Sequence, residues 1–248
     1  MLIEQSAYAN RWRAVTPAAK GLFALGALVA AFVAAPHPTA GLLLATLVVA
    51  ATLFGAGVRA AHYARIAWPP LSFLLVGSLS MLVALDLHGN SIGLHLQLQH
   101  EAYVVIARSC GALAALLFLV TTTPLTDLIA LLRRLKTPEL LLDIMVLCYR
   151  VLFVFSEAVH DMQTAQAARL GYADTRRSLH SLGSLAANLL AQVWQRSRGL
   201  HQAALARNND GPLRFLAPAY AHAGRDTALS AIAAAALVAT AFGLRGAT

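Results

Sequence analysis

Five stretches of this chain run for close to the length of a bilayer crossing with almost no charge, and that pattern restricts the fold more than any motif does. Ala18–Ala35 is apolar except for Lys20 near its start. Thr39–Val58 carries no charge, and neither does Ile66–Leu85, which runs up to Asp86. Glu101–Thr123 has Glu101 at its edge and Arg108 inside. Thr227–Leu244 is uncharged and rich in alanine. A transmembrane helix needs about 20 mostly apolar residues. The chain is 58% hydrophobic and 12% charged, whereas soluble domains carry about 25% charged residues. A soluble fold would lack polar residues to cover its surface. The reading is an all-α, polytopic membrane protein with five spans. Pro36-His37-Pro38 makes the tight turn between the first two, because proline cannot continue a helix. The first apolar run follows a polar start with Arg11 and Arg13 and is long for a signal peptide, so no cleaved leader is expected.

Basic residues orient the spans, since Lys and Arg near span ends stay on the cytoplasmic side. Arg11, Arg13 and Lys20 precede or open the first span, and Arg59 and Arg65 lie between spans two and three. Segment 86–100 has no Lys or Arg, whereas Arg133, Arg134 and Lys136 follow span four. The N-terminus is therefore expected inside and the C-terminus, with Arg245, outside. The net charge of +8 follows from this asymmetry and suits anionic lipid headgroups. It does not mark a nucleic-acid binder, because the arginines are not interleaved with exposed aromatics in a compact soluble module. Three regions result: a four-helix membrane portion at 1–126, a cytoplasmic region at 127–226, and a final span at 227–248.

Region 127–226 holds 12 of the 19 basic and 8 of the 11 acidic residues, yet its pattern is helical. Thr137-Pro138-Glu139 reads as a helix start, with a capping hydroxyl, proline in the first turn and an acid at the positive end. That helix runs to Arg169, with Gly171 as its stop. Leu140–Phe155 is apolar apart from Asp143 and Arg150, whereas Ser156–Arg169 is polar. It either starts against the membrane and emerges into the cytoplasm or forms a sixth span. The cost of Asp143 and Arg150 in lipid favours the former. Asp174 opens a second helix, ended by Gly211-Pro212. Leu179, Leu182, Ala186, Leu189 and Val193 alternate three and four apart, a narrow seam for packing on another helix. Arg196, Arg198 and Gly199 interrupt the stripe, so a bend or split is expected there. Unbroken, Thr175–Asn208 would reach about 50 Å. The two helices end alike, in Ala168-Arg169-Leu170 and Ala206-Arg207-Asn208. A small residue lets a partner approach. An arginine complements the negative helix end and offers a carboxylate five donors.

Other features are less specific. Cys110 and Cys148 lie in apolar stretches and read as buried free thiols. His88, His95 and His100 share the external loop, where solvated imidazoles are the default over a metal site. Arg108, at membrane depth, either has a functional role or pairs structurally, with Asp143 as a candidate. Gly26 with Ala30, and Gly111 with Ala115, have the small-xxx-small spacing of close helix packing. There is no phosphate-binding loop and no H-E-x-x-H, so no metal site or catalytic residue is assigned to this chain.

These features together resemble the transmembrane (T) component of energy-coupling factor (ECF) transporters, most similarly the cobalt type. That family carries two Ala-Arg-Gly signatures at the ends of long cytoplasmic coupling helices. The first corresponds to Ala168-Arg169, with Leu170 where glycine is usual and Gly171 one place later. The second corresponds to Ala206-Arg207, with Asn208 in place of glycine. The stretch Leu147–Glu157, with Arg150 in an apolar helix, is also similar. The resemblance implies a non-catalytic, multi-pass subunit of a bacterial cytoplasmic membrane. Its partners would be two ABC-type ATPase subunits, which bind ATP and Mg, a substrate-specificity membrane subunit and a small accessory membrane subunit. On that model Arg169 and Arg207 pair with acids on the ATPases. The seam Leu179, Leu182, Leu189 and Val193 packs against the other coupling helix or the specificity subunit.

Two further classes are weighed. A stand-alone permease predicts ionisable or broken-helix sites in several spans, and only Arg108 stands out. A membrane-embedded lipid-headgroup enzyme needs clustered cytoplasmic acids, which the sequence lacks.

Overall fold

The computed structural model describes residues 2–34, 38–82, 84–86, 91–93, 98–208, 220 and 222–246. The chain divides into two compact units, one of residues 1–131 and 217–248 and one of residues 132–216.

In the first unit, α1 (Leu2–Ala9) and a 3-10 turn (Arg11–Ala14) precede α2 (Pro17–Val33). α3 (Pro38–Ala50) runs on into a π turn (Ala51–Gly55), and α4 is Ala60–Leu82. α5 (Leu98–Thr122) and α6 (Leu125–Arg134) follow, and α9 (Ala223–Gly246) completes the unit, while α7 (Glu139–Ala168) and α8 (Thr175–Ala206) belong to the second. Two short strands, β1 (Ala84–Asp86) and β2 (Ser91–Gly93), pair antiparallel with Leu85 opposite Ile92. The end of the expected third span, Ala84-Leu85, is thus strand and not helix. α1, the 3-10 turn and α6 were not expected from the sequence. They are too short and too polar to register as spans.

The core explains how apolar helices can pack without large side chains. Ala24, Ala27, Ala45, Ala114 and Ala115 surround Phe118, with Phe23 tilted against its ring at 4.9 Å. Ala30, Ala34, Ala40, Leu44 and Ala241 form a second cluster. Gly26 faces α9 so closely that a Cβ would collide with Ala234. A Cβ on Gly111 would stand 2.7 Å from that of Ala31, and one on Gly41 3.0 Å from that of Ala107. The expected small-residue contacts therefore join α2 to α9 and α5 to α2. Large apolar side chains point outward instead: Phe54 is 82% exposed and Phe73 81% exposed. Small residues inside and bulky ones outside is the arrangement that lipid, not water, permits. By length and composition, 102–122 and 223–244 suffice to cross a membrane, and Pro17–Val33 and Thr39–Gly55 are shorter apolar helices.

The second unit contains the end of α6, then α7 (Glu139–Ala168) and α8 (Thr175–Ala206). The Thr137 hydroxyl does not cap α7. It donates to the Leu132 carbonyl at 2.8 Å and closes α6, while Pro138 is the N-cap of α7 without a side-chain bond. Asp174 does cap α8, its carboxylate accepting from the Thr175 N–H at 2.8 Å. α8 runs unbroken through Arg196, Arg198 and Gly199. Its 32 residues reach about 48 Å. Gly211-Pro212 lies outside the described residues.

Candidate functional site

The two arginine-bearing helix ends have the same backbone. α7 ends at Ala168, and Arg169 is its C-cap with φ −96°, ψ 18°. α8 ends at Ala206, and Arg207 is its C-cap with φ −97°, ψ 9°. The next residue is left-handed at both ends, Leu170 at φ 54° and Asn208 at φ 50°. The N–H of Arg169 donates to the Gln166 carbonyl at 3.1 Å, and that of Arg207 to Ala204 at 3.1 Å. Leu170 and Asn208 follow suit, donating to Ala167 and Leu205, each at 3.0 Å. These bonds satisfy carbonyls that a helix end leaves free. The position at which glycine is usual thus keeps glycine-like geometry at both ends. Asn tolerates it, whereas Leu is held there at a cost of about 1–2 kcal/mol. Ala168, Arg169, Leu170, Ala206, Arg207 and Asn208 are all exposed. Among the described residues neither arginine has an ion-pair partner.

Gly171 has a different task from that expected. It does not supply the left-handed position; it makes room. A Cβ there would lie 2.5 Å from Ser181 Oγ and 2.9 Å from the Gln166 carbonyl oxygen. Ser181, buried on α8, donates to the Gly171 carbonyl at 2.9 Å. The Gly171 N–H in turn donates to Gln166 at 2.9 Å. The first arginine end is therefore tied to the second helix two turns into α8. Beside it lies a cleft of about 390 Å³ lined by His160, Gln163, Thr164, Ala167, Tyr172 and Leu182.

The seam is not consumed inside the chain. Leu179 is 72% exposed, Leu182 and Val193 are exposed, and Leu189 is half-buried. The buried residues of α8 are Ser181 and Leu185, which lie off that stripe. Leu182 of the seam borders the cleft beside α7, while the hydrogen bond that ties α8 to the end of α7 is that of Ser181 with Gly171. Cys148 is likewise exposed and Cys110 only half-buried, against the expectation of buried thiols. The apolar start of α7 leaves Leu140, Leu141, Ile144, Leu147 and Leu152 uncovered.

The first unit contains a polar joint that sequence reading missed. The carboxylate of Asp127, buried in the first turn of α6, pairs with the Arg13 guanidinium. Lys20, 2% exposed, donates to the Thr122 carbonyl at 2.9 Å. The Asn10 amide donates to the carbonyls of Ala7 at 2.8 Å and Thr122 at 3.1 Å. In the sequence Arg13 and Lys20 mark topology only. Their partners lie more than 100 residues away, and no local pattern announces them. Arg108 rests over the Phe32 ring, 5.1 Å from its centroid. The side chains of His88, His95 and His100 lie outside the described residues.

Comparison with known proteins adds a family. The model of the family described as cobalt transport protein, CbiQ, matches residues 9–215. A cobalt transport protein CbiQ of Rhodobacter capsulatus is 37% identical over 214 residues, 86% of each chain. An uncharacterized protein of Methanocaldococcus jannaschii is 30% identical over 226 residues, 87% of this chain and 83% of that one. A putative fused cobalt transport protein CbiMQ of Methanocorpusculum labreanum is 28% identical over 254 residues, 98% of this chain but 41% of that longer one.

Proposed function

The chain belongs to the cobalt transport protein family, and from that premise we propose that it is the transmembrane coupling subunit of an ATP-driven, ECF-type importer of cobalt ion. It is a multi-pass subunit of the cytoplasmic membrane and carries no chemistry of its own. ATP and Mg are bound by two partner ABC-type ATPases, and cobalt passes through a substrate-specificity membrane subunit. A small accessory membrane subunit completes the set. The fused relative carries a second, M, part on the same chain as its Q part, which fits a membrane partner of this kind.

The observation that carries this reading is the pair of helix ends with matched geometry and exposed arginines that have no ion-pair partner among the described residues. A left-handed residue follows each C-cap and leaves the arginine exposed at the negative helix end. Such a terminus is a rigid knob with one charge. On this reading Arg169 and Arg207 enter grooves on the two ATPases and pair with acids there. Ala168 and Ala206 let the groove wall approach the backbone. Because α7 and α8 are tied through Ser181 and Gly171, ATPase closure moves both ends as one lever. The seam Leu179, Leu182, Leu189 and Val193, exposed at all but Leu189, is left for the specificity subunit.

Co-purification tests it. Arg169→Glu with Arg207→Glu should remove both ATPases from a detergent-solubilised complex, since losing one partner of an interfacial charge pair costs about 2–5 kcal/mol. An intact complex from the double variant would sink the reading. Cobalt uptake in cells carrying the variant gives the second readout.

A further inference from the structure

The polar joint of the first unit has no part in the coupling reading so far, and its construction points to one. α5 ends at Thr122 and α6 begins at Leu125, so only Thr123 and Pro124 separate them. Pro124 is fully buried, and its ring fixes its own backbone. Residues 8–20 grip this corner from both sides. On the α5 side, the last carbonyls of a helix have no partner within it. The Lys20 ammonium donates to that of Thr122 at 2.9 Å, and the Asn10 amide donates to those of Thr122 at 3.1 Å and Thr121 at 3.4 Å. A cation at a helix C-terminus also opposes the helix dipole. On the α6 side, Asp127 sits in the first turn, where the dipole favours a carboxylate, and pairs with Arg13. The Tyr8 and Thr126 hydroxyls share a hydrogen bond at 3.4 Å, and Arg13 lies over the Tyr8 ring, 4.8 Å from its centroid.

The place of this corner in the chain gives the grip a consequence. The second unit begins at residue 132, inside α6, and α6 is one helix from Leu125 to Arg134. At its far end the Thr137 hydroxyl bonds back to the Leu132 carbonyl and ties the turn that leads into α7. The coupling helices are thus joined to the corner through a continuous element. A rigid helix passes displacement on, whereas a loose corner at its end would absorb it.

We propose that Arg13 and Asp127 are positioning residues for coupling. By clamping the first turn of α6 to residues 8–20 they stiffen the α5–α6 corner, so that motion of the coupling helices turns α5 and does not bend the corner. This role rests on the coupling reading and adds to it the point at which motion enters the membrane unit. Arg13 is the residue to vary. Its side chain is 37% exposed, whereas that of Asp127 is 2% exposed, so replacing the arginine leaves less charge buried and unpaired in the fold.

The complete complex of this chain, the two ATPases and the specificity subunit is reconstituted in proteoliposomes, and cobalt import and ATP hydrolysis are measured together. Arg13→Gln should keep both ATPases and their hydrolysis, while cobalt imported per ATP falls by about fivefold or more, the effect of an ordinary coupling energy. Arg13→Lys, which keeps the ion pair, should recover most of that ratio. Arg11→Gln removes the same charge from the same 3-10 turn, but the Arg11 side chain lies against Gly57, so this variant should import as the unaltered chain does. Amides 125–131 should exchange hydrogen faster in Arg13→Gln than in Arg11→Gln. An unchanged ratio in Arg13→Gln overturns the role. So does a loss of import that only matches a loss of ATPase or of folded complex, or an equal fall in Arg11→Gln. An unaltered chain that purifies without ATPases would instead remove the coupling reading, and this role with it.

Discussion

The Ser181 hydroxyl donates to the Gly171 carbonyl at 2.9 Å, and the same oxygen would lie 2.5 Å from any Cβ added at Gly171. The bond and the missing side chain are one device, because the hydroxyl reaches the carbonyl only where no Cβ intervenes. Gly171→Ala should therefore destabilise the hairpin by about 1–3 kcal/mol, the usual range for overpacking. Ser181→Ala should cost about 1 kcal/mol. The double variant should cost less than the sum, since removing the hydroxyl relieves part of the clash. Hydrogen exchange across 166–178 reads all three. Strict additivity would mean that the two residues do not interact.

Leu170 occupies left-handed backbone without the freedom of glycine. Leu170→Gly should stabilise the end of α7 by up to about 1 kcal/mol. Asn208→Gly should change the end of α8 by only a few tenths, because Asn already suits that geometry. Asn208→Val should destabilise it more than either. The comparison is made from the protection of amides 167–171 and 205–208. An opposite ordering would contradict the matched geometry of the two ends.

Gly111 lies where a Cβ would stand 2.7 Å from that of Ala31. Gly111→Val should lower stability by at least about 1–3 kcal/mol, seen as a lower unfolding midpoint in detergent. Phe73→Leu, at an outward position on α4 that is 81% exposed, should be nearly neutral. If both cost the same, the inside-out packing of this unit is misread.

Asp127 is 2% exposed and its partner Arg13 has a side chain 37% exposed. Asp127→Asn removes a carboxylate that compensates buried positive charge near Lys20. Loss of one partner of a fully buried pair costs about 3–5 kcal/mol, and the partial exposure of Arg13 reduces this to about 2 kcal/mol. Lys20→Met added to Asp127→Asn should recover part of the loss by removing the uncompensated ammonium. Urea titration of the three proteins measures it. No recovery would show that Lys20 and Asp127 are independent.

Some of this was legible in advance. The apolar runs specify helices because backbone groups in lipid must bond within their own segment. Asp174 capped α8 as its residue type predicts, and both arginine ends were visible as short local patterns. Thr137 misled, because its hydroxyl had two helix ends within reach. It bonded backward to Leu132, closing α6, and left α7 without a side-chain cap. α6 itself was overlooked because it is short and its buried acid resembles an ordinary surface charge. The alternating stripe Leu179–Val193 was real as a pattern, but periodicity states only that a face exists.

The sequence by itself determined the helical class and the position of the two arginine ends, since each depends on neighbours within a few turns. The tertiary structure alone decided which face of α8 meets α7, why Gly171 is bare, and that Arg13, Lys20 and Asp127 form one joint. Those facts depend on residues brought together from distant parts of the chain. Burial then converts an unremarkable lysine or aspartate into a paired group, because a charge removed from water must find its partner inside the protein.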